Sequence, residues 1–170
     1  MTVTALIIPP SEVAGSDTDV PAAVVGASVV VNAGWVVPVG DPGDLLAVLP
    51  ALLGQTPAEC LVVLGINRGR LVSTTQVALA ETTDPGLGER LVERLAGCLW
   101  VDLVVVGGAD AAEDGTPLHY TELVEELSAA LDRGGVGLPH ATWLPAVVPG
   151  ADWFCYADWS CVGTLRDVRG

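Results

Sequence analysis

Basic residues are scarce in this 170-residue chain, which has no lysine and only seven arginines against 21 acidic residues. The formal net charge is −14. Such a surface repels the phosphates of nucleic acids and of anionic membranes, so we expect neither as a partner. Basic protein surfaces and cations suit this charge better, although the same charge also keeps an apolar-rich chain in solution.

Long apolar runs are missing as well. Hydrophobic residues make up 51% of the chain, which argues against wholesale disorder. The longest apolar runs have the length of a strand and fall short of the roughly 18 residues that a membrane span needs. No basic segment precedes an apolar one at the N-terminus, as a secretory signal requires. We therefore expect a soluble, cytoplasmic protein.

The motifs of the common catalytic classes are also absent. The chain contains neither of the glycine-rich phosphate-binding patterns and no Gly-x-Ser-x-Gly elbow. Its two histidines, His119 and His140, show no zincin spacing. The sequence predicts no catalytic residue and no cofactor, and it favours a non-catalytic protein over an enzyme.

What the chain does contain is an alternation of helix and strand patterns. Asp41 followed by Pro42 predicts a helix N-cap, and the helix should end at Gly54, with Pro50 kinking or splitting it. Apolar runs at 59–66 and 71–80 flank a turn and predict a β-hairpin.

The second half of the chain continues the alternation. Asp84-Pro85 and Thr116-Pro117 each predict the start of a helix, and strands are expected at 101–108 and 140–148. Strands that alternate with helices favour an α/β fold. We predict a single-domain sandwich with a mixed, partly parallel sheet, in which a β-hairpin is followed by βαβαβ and flanked by helices.

The organisation along the chain follows from these patterns. Residues 1–40 are expected to form N-terminal strands with a mobile loop near 10–21. Residues 41–161 are the predicted α/β core, and 162–170 a C-terminal tail. No interior linker separates two domains, so we predict one domain overall.

Two groups of residues are candidates for binding a small ligand, and each is equally explained as an ordinary loop or turn. Glycines and acids follow the strand at 101–108, where open α/β sheets bind ligands. Two arginines lie on the hairpin tip, where they could grip an anion. The candidates are Gly107, Gly108, Asp110 and Asp114 in the first group, and Arg68 and Arg70 in the second.

The segment DWFCYADWSC, residues 152–161, carries four of the eight aromatic residues and two of the four cysteines. Its strand alternation predicts that Trp153 and Cys155 share one face and that Phe154 and Tyr156 share the other. Packing over the sheet explains this pattern. An exposed interaction surface is the alternative, formed by Trp153, Phe154, Tyr156 and Trp159.

The two cysteines of this segment leave two more hypotheses. A minority hypothesis is a zinc site, because thiolate, imidazole and carboxylate groups are zinc ligands. Its ligands would be Cys155, Asp158, Cys161 and His140. A disulfide between the two cysteines is sterically feasible, but a cytosolic setting argues against a permanent one.

Three stretches of the chain resemble an actinobacterial family known as domain of unknown function 4192. They are DPGDLLAVLPALLGQTPAECLVVLGINRGRLVSTTQVAL, DLVVVGGAD and WFCYADWSC. The resemblance covers roughly residues 41–161, and it is most specific at 42–65. It implies an α/β fold and an actinobacterial or phage source, but no activity. The chain lacks the Cys-Cys-Pro continuation that is common in the family after the final cysteine.

Together these observations predict a small, acidic binding or regulatory protein that acts through protein–protein contacts. The partner would be a second copy of the chain or a host protein, since a phage-encoded factor is one version of this hypothesis. The alternative is a small-molecule-binding domain or enzyme with its pocket around 107–114.

Overall fold

The computed structural model of the protein describes residues 41–108, 120–158 and 160–167. Within these ranges the chain forms three α-helices and a six-stranded sheet. The elements are, in chain order, α1 (Pro42–Leu53), β1 (Cys60–Asn67), β2 (Arg70–Ala78), α2 (Leu87–Arg94), β3 (Trp100–Val106), α3 (Thr121–Arg133), β4 (Gly137–Leu144), β5 (Asp152–Cys155) and β6 (Val162–Thr164). The strands and loop predicted for residues 1–40 lie outside the described residues.

Helix α1 begins and ends where its capping residues predict. The Asp41 side chain accepts a hydrogen bond of 2.8 Å from the Gly43 N–H, and Pro42 follows at the first helical position. Gly54 ends the helix in the left-handed conformation, at φ 70°. The helix runs through Pro50 without dividing. Of the two expected effects of Pro50, a kink or a split, the split does not occur.

The strands are arranged in the order β2-β1-β3-β4-β5-β6. Only β3 and β4 are parallel, and they are joined by the segment that contains α3, because parallel neighbours need a long crossover. The other neighbouring pairs are antiparallel. The mixed, partly parallel sheet predicted from the sequence is thus confirmed.

The β1–β2 hairpin is also confirmed. Its two central turn residues, Arg68 and Gly69, have φ angles of 53° and 74°. Two positive φ angles are typical of the two-residue turns whose twist matches that of the flanking strands. The turn places Arg68 and Arg70 at the tip of the hairpin.

Helix α2 starts later than its sequence pattern predicts. The Asp84 carboxylate accepts a hydrogen bond of 2.9 Å from the Gly86 N–H and forms a salt bridge of 2.7 Å with Arg90. These contacts close a turn in front of the helix, so the first helical residue is Leu87 rather than Pro85.

The C-terminal segment contains two strands where one was expected. Strand β5 covers only the first four residues of the 152–161 segment, and the chain then turns back. The short strand β6 lies in the stretch predicted to be a tail and pairs with β5. In the described part of the chain, the end strand on this side of the sheet is therefore β6 and not the strand of the aromatic segment.

The sheet is buried on both faces, which explains the unbroken apolar runs of β1 and β3. One face packs against α1 and is called the α1 face; its core includes Leu46, Leu49, Val62, Leu64, Val104 and Leu144. The other packs against α2 and α3 and is called the α2–α3 face; its core includes Leu61, Val63, Leu91, Leu103, Leu127 and Trp143. Across the described ranges, no helix combines the length and the hydropathy needed to span a membrane.

Candidate functional site

The glycines after β3 are held by other parts of the protein. The Gly108 N–H donates to both carboxylate oxygens of Glu59 at 3.2 Å, and the Gly107 carbonyl accepts a bond of 2.9 Å from the Trp143 indole. A side chain at Gly108 would come within 2.6 Å of the Tyr120 ring. Other groups therefore lie close to the backbone of Gly107 and Gly108, as predicted for a ligand, but these groups are the side chains of Glu59 and Tyr120. Asp110 and Asp114 lie outside the described residues.

The two arginines on the hairpin tip lie at the opposite end of the sheet. Strand β1 runs antiparallel to β3, with Cys60 opposite Val106 and Ile66 opposite Trp100. Gly107 follows one end of this ladder and Arg68 lies beyond the other, and the six residue steps of the ladder from Cys60 to Ile66 alone span about 20 Å. Among the described residues, the structure therefore does not bring Gly107 and Gly108 into one site with Arg68 and Arg70.

The aromatic segment packs as its alternation predicts. Trp153 and Cys155 belong to the core of the α1 face, and Phe154 and Tyr156 pack on the α2–α3 face. Trp153 is only 5% exposed, so it is a core residue rather than an exposed contact residue. The Phe154 ring lies 6.0 Å from that of Trp143, and burial raises the pKa of the Tyr156 phenol. Trp159 lies outside the described residues.

Cys155 and Cys161 are joined by a disulfide, with 5.5 Å between their Cα atoms. The expectation that a permanent disulfide is absent rested on the cellular compartment and not on geometry. The backbone itself brings the two residues together, because the Cys155 N–H donates to the Cys161 carbonyl at 2.9 Å. Cys155 is buried, whereas Cys161 is half-buried.

His140, on β4, has its side chain next to Cys155 and Cys161. Thr142 pairs with Cys155 across β4 and β5, and His140 lies two residues before Thr142, on the same face of the sheet. An imidazole nitrogen and the two sulfur atoms all lie within 4.8 Å of one another. We call His140, Cys155 and Cys161 the His–Cys cluster.

Asp158, the fourth ligand of the zinc hypothesis, does not belong to this cluster. Its Oδ1 accepts hydrogen bonds from the Ser160 N–H at 2.9 Å and from the Ser160 hydroxyl at 2.6 Å. These bonds lower the pKa of the Asp158 carboxyl. The residue stabilises the turn between β5 and β6, and of the four predicted ligands the structure brings together the other three.

Asp102 is the residue of the site that the sequence analysis missed. It pairs with His140 across β3 and β4 and is only 7% exposed. Among the described residues its Oδ1 has no hydrogen-bond partner. Burial raises the pKa of the Asp102 carboxyl, while the charge of His140 and its backbone N–H, which donates to the carboxylate, oppose that rise.

A signal for Asp102 was present in the sequence. Strand β3 is otherwise apolar apart from this single acid, and aspartate is almost never buried without a charged or polar partner. An acid in such a strand therefore predicts a partner on a neighbouring strand. The partner could not be identified, because the register between β3 and β4 is not visible in the sequence.

The other two cysteines are in different surroundings. Cys60 is buried in the core of the α1 face, and Cys98 is half-buried on the α2–α3 face. Burial raises the pKa of both thiols. Neither is part of the His–Cys cluster, as expected for cysteines that act as small hydrophobic residues.

The site is therefore a disulfide beside an imidazole, with a buried carboxylate behind the imidazole. Two sulfurs and an imidazole can exchange electrons with thiols or, once reduced, bind a soft cation. Cavities of about 320 and 540 Å³ lie elsewhere, the first between β2 and α2 and the second beside α1, and no residue of the cluster lines either one.

A protein-family model matches most of the chain. The chain belongs to the family DUF4192, described as a domain of unknown function, whose model matches residues 42–170. No match was found among the curated proteins or among the solved structures.

Proposed function

We propose that this chain is a small, non-catalytic regulatory protein that changes state when its Cys155–Cys161 disulfide is reduced, and that it acts through contact with another protein. The observation that carries the proposal is the disulfide itself, which lies against His140. A nearby imidazole stabilises thiolate, the form of cysteine that exchanges disulfides.

The exposure of the pair supports this role. Cys161 is half-buried and Cys155 is buried in the core, so Cys161 is the more accessible of the two residues to a thiol reductant. Cys60 and Cys98 have raised thiol pKa values because they are buried, which disfavours their thiolates. Reduction and oxidation should therefore be confined to Cys155 and Cys161.

The location of the pair links its redox state to the edge of the sheet. Cys155 ends β5, and Cys161 immediately precedes β6, which has no further partner strand in the described chain. Exposed edge strands are sites at which other chains add. Val162 on β6 is 48% exposed, and the acidic chain favours a partner with a basic surface.

We favour this role over a small-molecule site around 107–114. Glu59 and Tyr120 of the protein itself fill the space against Gly107 and Gly108. The arginines predicted to bind an anion lie at the other end of β1. The proposed contact surface is therefore β6 with its exposed valine, in place of the buried Trp153.

A redox titration tests the redox part of the proposal. The protein is equilibrated in buffers of oxidised and reduced dithiothreitol, alkylated and analysed by mass spectrometry. We expect Cys155 and Cys161 to change together between disulfide and dithiol while Cys60 and Cys98 remain thiols. In the Cys161→Ser variant Cys155 should stay reduced throughout, and in the matched control Cys98→Ser the titration should be unchanged. Independent alkylation of Cys155 and Cys161 in every buffer would contradict the proposal.

The contact with another protein is tested by immobilising the oxidised and the reduced protein side by side and comparing the proteins that each form retains. We expect one basic partner to be retained by only one of the two forms. Val162→Asp should abolish its retention, whereas Val148→Asp should not, because Val148 is equally exposed but lies between β4 and β5. The same proteins retained by both forms would contradict a redox-controlled contact.

A further inference from the structure

We infer that the His–Cys cluster, once reduced, is a binding site for a divalent d10 cation, and that its natural ligand is zinc. The inference rests on the proposed function only in requiring that Cys155 and Cys161 exist as two thiols. Its first support is geometry, because one imidazole nitrogen and two sulfurs already lie within 4.8 Å of one another. In a tetrahedral zinc site such ligand atoms are about 3.5–3.8 Å apart. The imidazole nitrogen is therefore already close to this distance from the sulfurs, whereas the two sulfurs, which are bonded in the disulfide, must move apart once that bond is cleaved.

We expect the two cysteines to stay close together after reduction, because backbone hydrogen bonds also hold them, while the contacts of β6 change. The Cys155 N–H donates to the Cys161 carbonyl at 2.9 Å, and the Cys161 N–H donates to the Asp158 carbonyl at 3.0 Å. The Tyr156 N–H bonds the Ala141 carbonyl at 2.8 Å and ties the segment to β4, next to His140. The ligands are thus preorganised independently of the S–S bond.

Asp102 is a second and independent observation that points to a metal. Its side chain is more than nine-tenths buried, is paired across the sheet with His140, and has an oxygen without a partner in the described chain. A buried polar atom without a hydrogen bond is costly. Metal-bound imidazoles commonly donate their other N–H to a carboxylate, which fixes the ring and makes it a stronger ligand. Asp102 is suitably placed for that role.

The chemistry of the donors selects the cation. Two thiolates and an imidazole suit zinc, whereas calcium and magnesium require oxygen ligands. Two thiolates and a neutral imidazole also balance the charge of one divalent ion, which limits the cost of burying it. The described residues supply three ligands, so the fourth position is left for water or for a group from a partner.

The disulfide is converted into the zinc site in two steps, reduction and metal binding. A cellular dithiol gives two electrons and two protons to the disulfide and is itself oxidised to a disulfide, which leaves Cys155 and Cys161 as thiols. Zinc then displaces the two thiol protons and forms two Zn–S bonds and one Zn–N bond. The disulfide and the metal site are therefore alternative states of the same residues.

The test compares oxidised and reduced protein from one preparation. The reduced sample is made with a phosphine, which does not compete for zinc as a dithiol does, and both samples are titrated with Zn²⁺ against a chromophoric chelator. We expect one equivalent of zinc in the reduced protein and none in the oxidised protein. Cobalt(II) should give sulfur-to-metal charge-transfer absorption only in the reduced sample. No stoichiometric zinc in the folded, reduced wild type would overturn the inference.

Variants assign the ligands. Cys161→Ser and His140→Ala should lose stoichiometric binding, and Asp102→Asn should weaken zinc affinity by about 10–100-fold. The matched controls Asp158→Asn and Cys98→Ser should bind zinc like the wild type. Unchanged affinity in His140→Ala, or loss of binding in Asp158→Asn, would contradict the assignment.

The two proposals fail separately. A pair that cycles between disulfide and dithiol but binds no zinc preserves the proposed function and overturns the metal site. A reduced protein that binds one zinc but never forms the disulfide preserves the metal site and overturns the redox function.

Discussion

The two faces of the central sheet are built differently although both are buried. The α2–α3 face is mostly aliphatic and is covered by two helices. The α1 face is aliphatic over β1, but over β3, β4 and β5 it carries Asp102, His140 and Cys155. The α2–α3 face also buries polar groups, such as Thr75 and the Ser73 hydroxyl, but these are neutral hydroxyls. The α1 face instead places a carboxylate, an imidazole and a thiol on adjacent strands, which indicates a role beyond packing.

The largest expected effect tests whether the aliphatic parts of the two faces are equivalent. Leu64 on the α1 face and Leu103 on the α2–α3 face are at most 1% exposed. Either Leu→Ala substitution should lower the free energy of unfolding by about 2–5 kcal/mol, because each leaves a cavity. Urea denaturation of the two variants measures this. A loss confined to one face would show that the other is not a packed core.

The next effect concerns the disulfide on the α1 face. Cys155 and Cys161 are six residues apart, and a loop of this size stabilises the folded state by about 2 kcal/mol through the entropy of the unfolded chain. Reduction should remove this stabilisation, and one equivalent of zinc should restore it. Thermal unfolding of oxidised, reduced and zinc-treated protein measures both steps. An unfolding temperature that does not change on reduction would contradict the prediction.

Substitution of Asp102 should raise the stability of the fold, whereas the two preceding changes lower it. Burial raises its pKa, so its charge destabilises the fold above that pKa, and the penalty disappears as the pH falls through it. Asp102→Asn should therefore stabilise the oxidised, metal-free protein by about 1 kcal/mol at neutral pH. The advantage should shrink as the pH falls toward about 4, where an ordinary Asp is protonated.

Asp102→Asn should thus be more stable than the wild type without metal and yet bind zinc more weakly. This combination distinguishes a residue that positions a zinc ligand from one that only stabilises the fold. Denaturation at several pH values measures the stability, and Leu103→Ala provides a comparison whose loss should not vary with pH in this way. A variant less stable than the wild type at every pH would contradict the prediction that the buried charge of Asp102 destabilises the fold.

The smallest effect is expected for the cysteine on the other face. Cys98 is half-buried and outside the His–Cys cluster, so Cys98→Ala should change the free energy of unfolding by about 0.5 kcal/mol or less. It should also leave redox behaviour and zinc binding unchanged. An altered redox titration of Cys155 and Cys161 in this variant would mean that the two faces are coupled.

Local features of the fold could be predicted because local chemistry determines them. The Asp41 cap, the turn at Arg68 and Gly69, and the β3–α3–β4 alternation each depend on neighbouring residues. Strand β6 could not be predicted, because three residues carry no periodic pattern. The start of α2 was misplaced because Asp84 closes a turn ahead of the helix.

The candidate site was only partly predictable for a related reason. His140, Cys155 and Cys161 were named as zinc ligands because of their donor atoms, but Asp158 was included because it lies between the cysteines. Its carboxylate instead bonds Ser160 within a turn. Asp102 was missed because it meets His140 only through the pairing of β3 with β4, and this register depends on the whole sheet.

The most direct test of the His–Cys cluster is X-ray absorption at the zinc edge on the reduced, zinc-loaded protein. If the cluster binds zinc, the zinc should be surrounded by two sulfurs at about 2.3 Å and one imidazole nitrogen at about 2.0 Å. The nitrogen contribution should be lost in His140→Ala. A shell of oxygen and nitrogen atoms without sulfur, or a reduced protein that retains no zinc, would contradict this prediction.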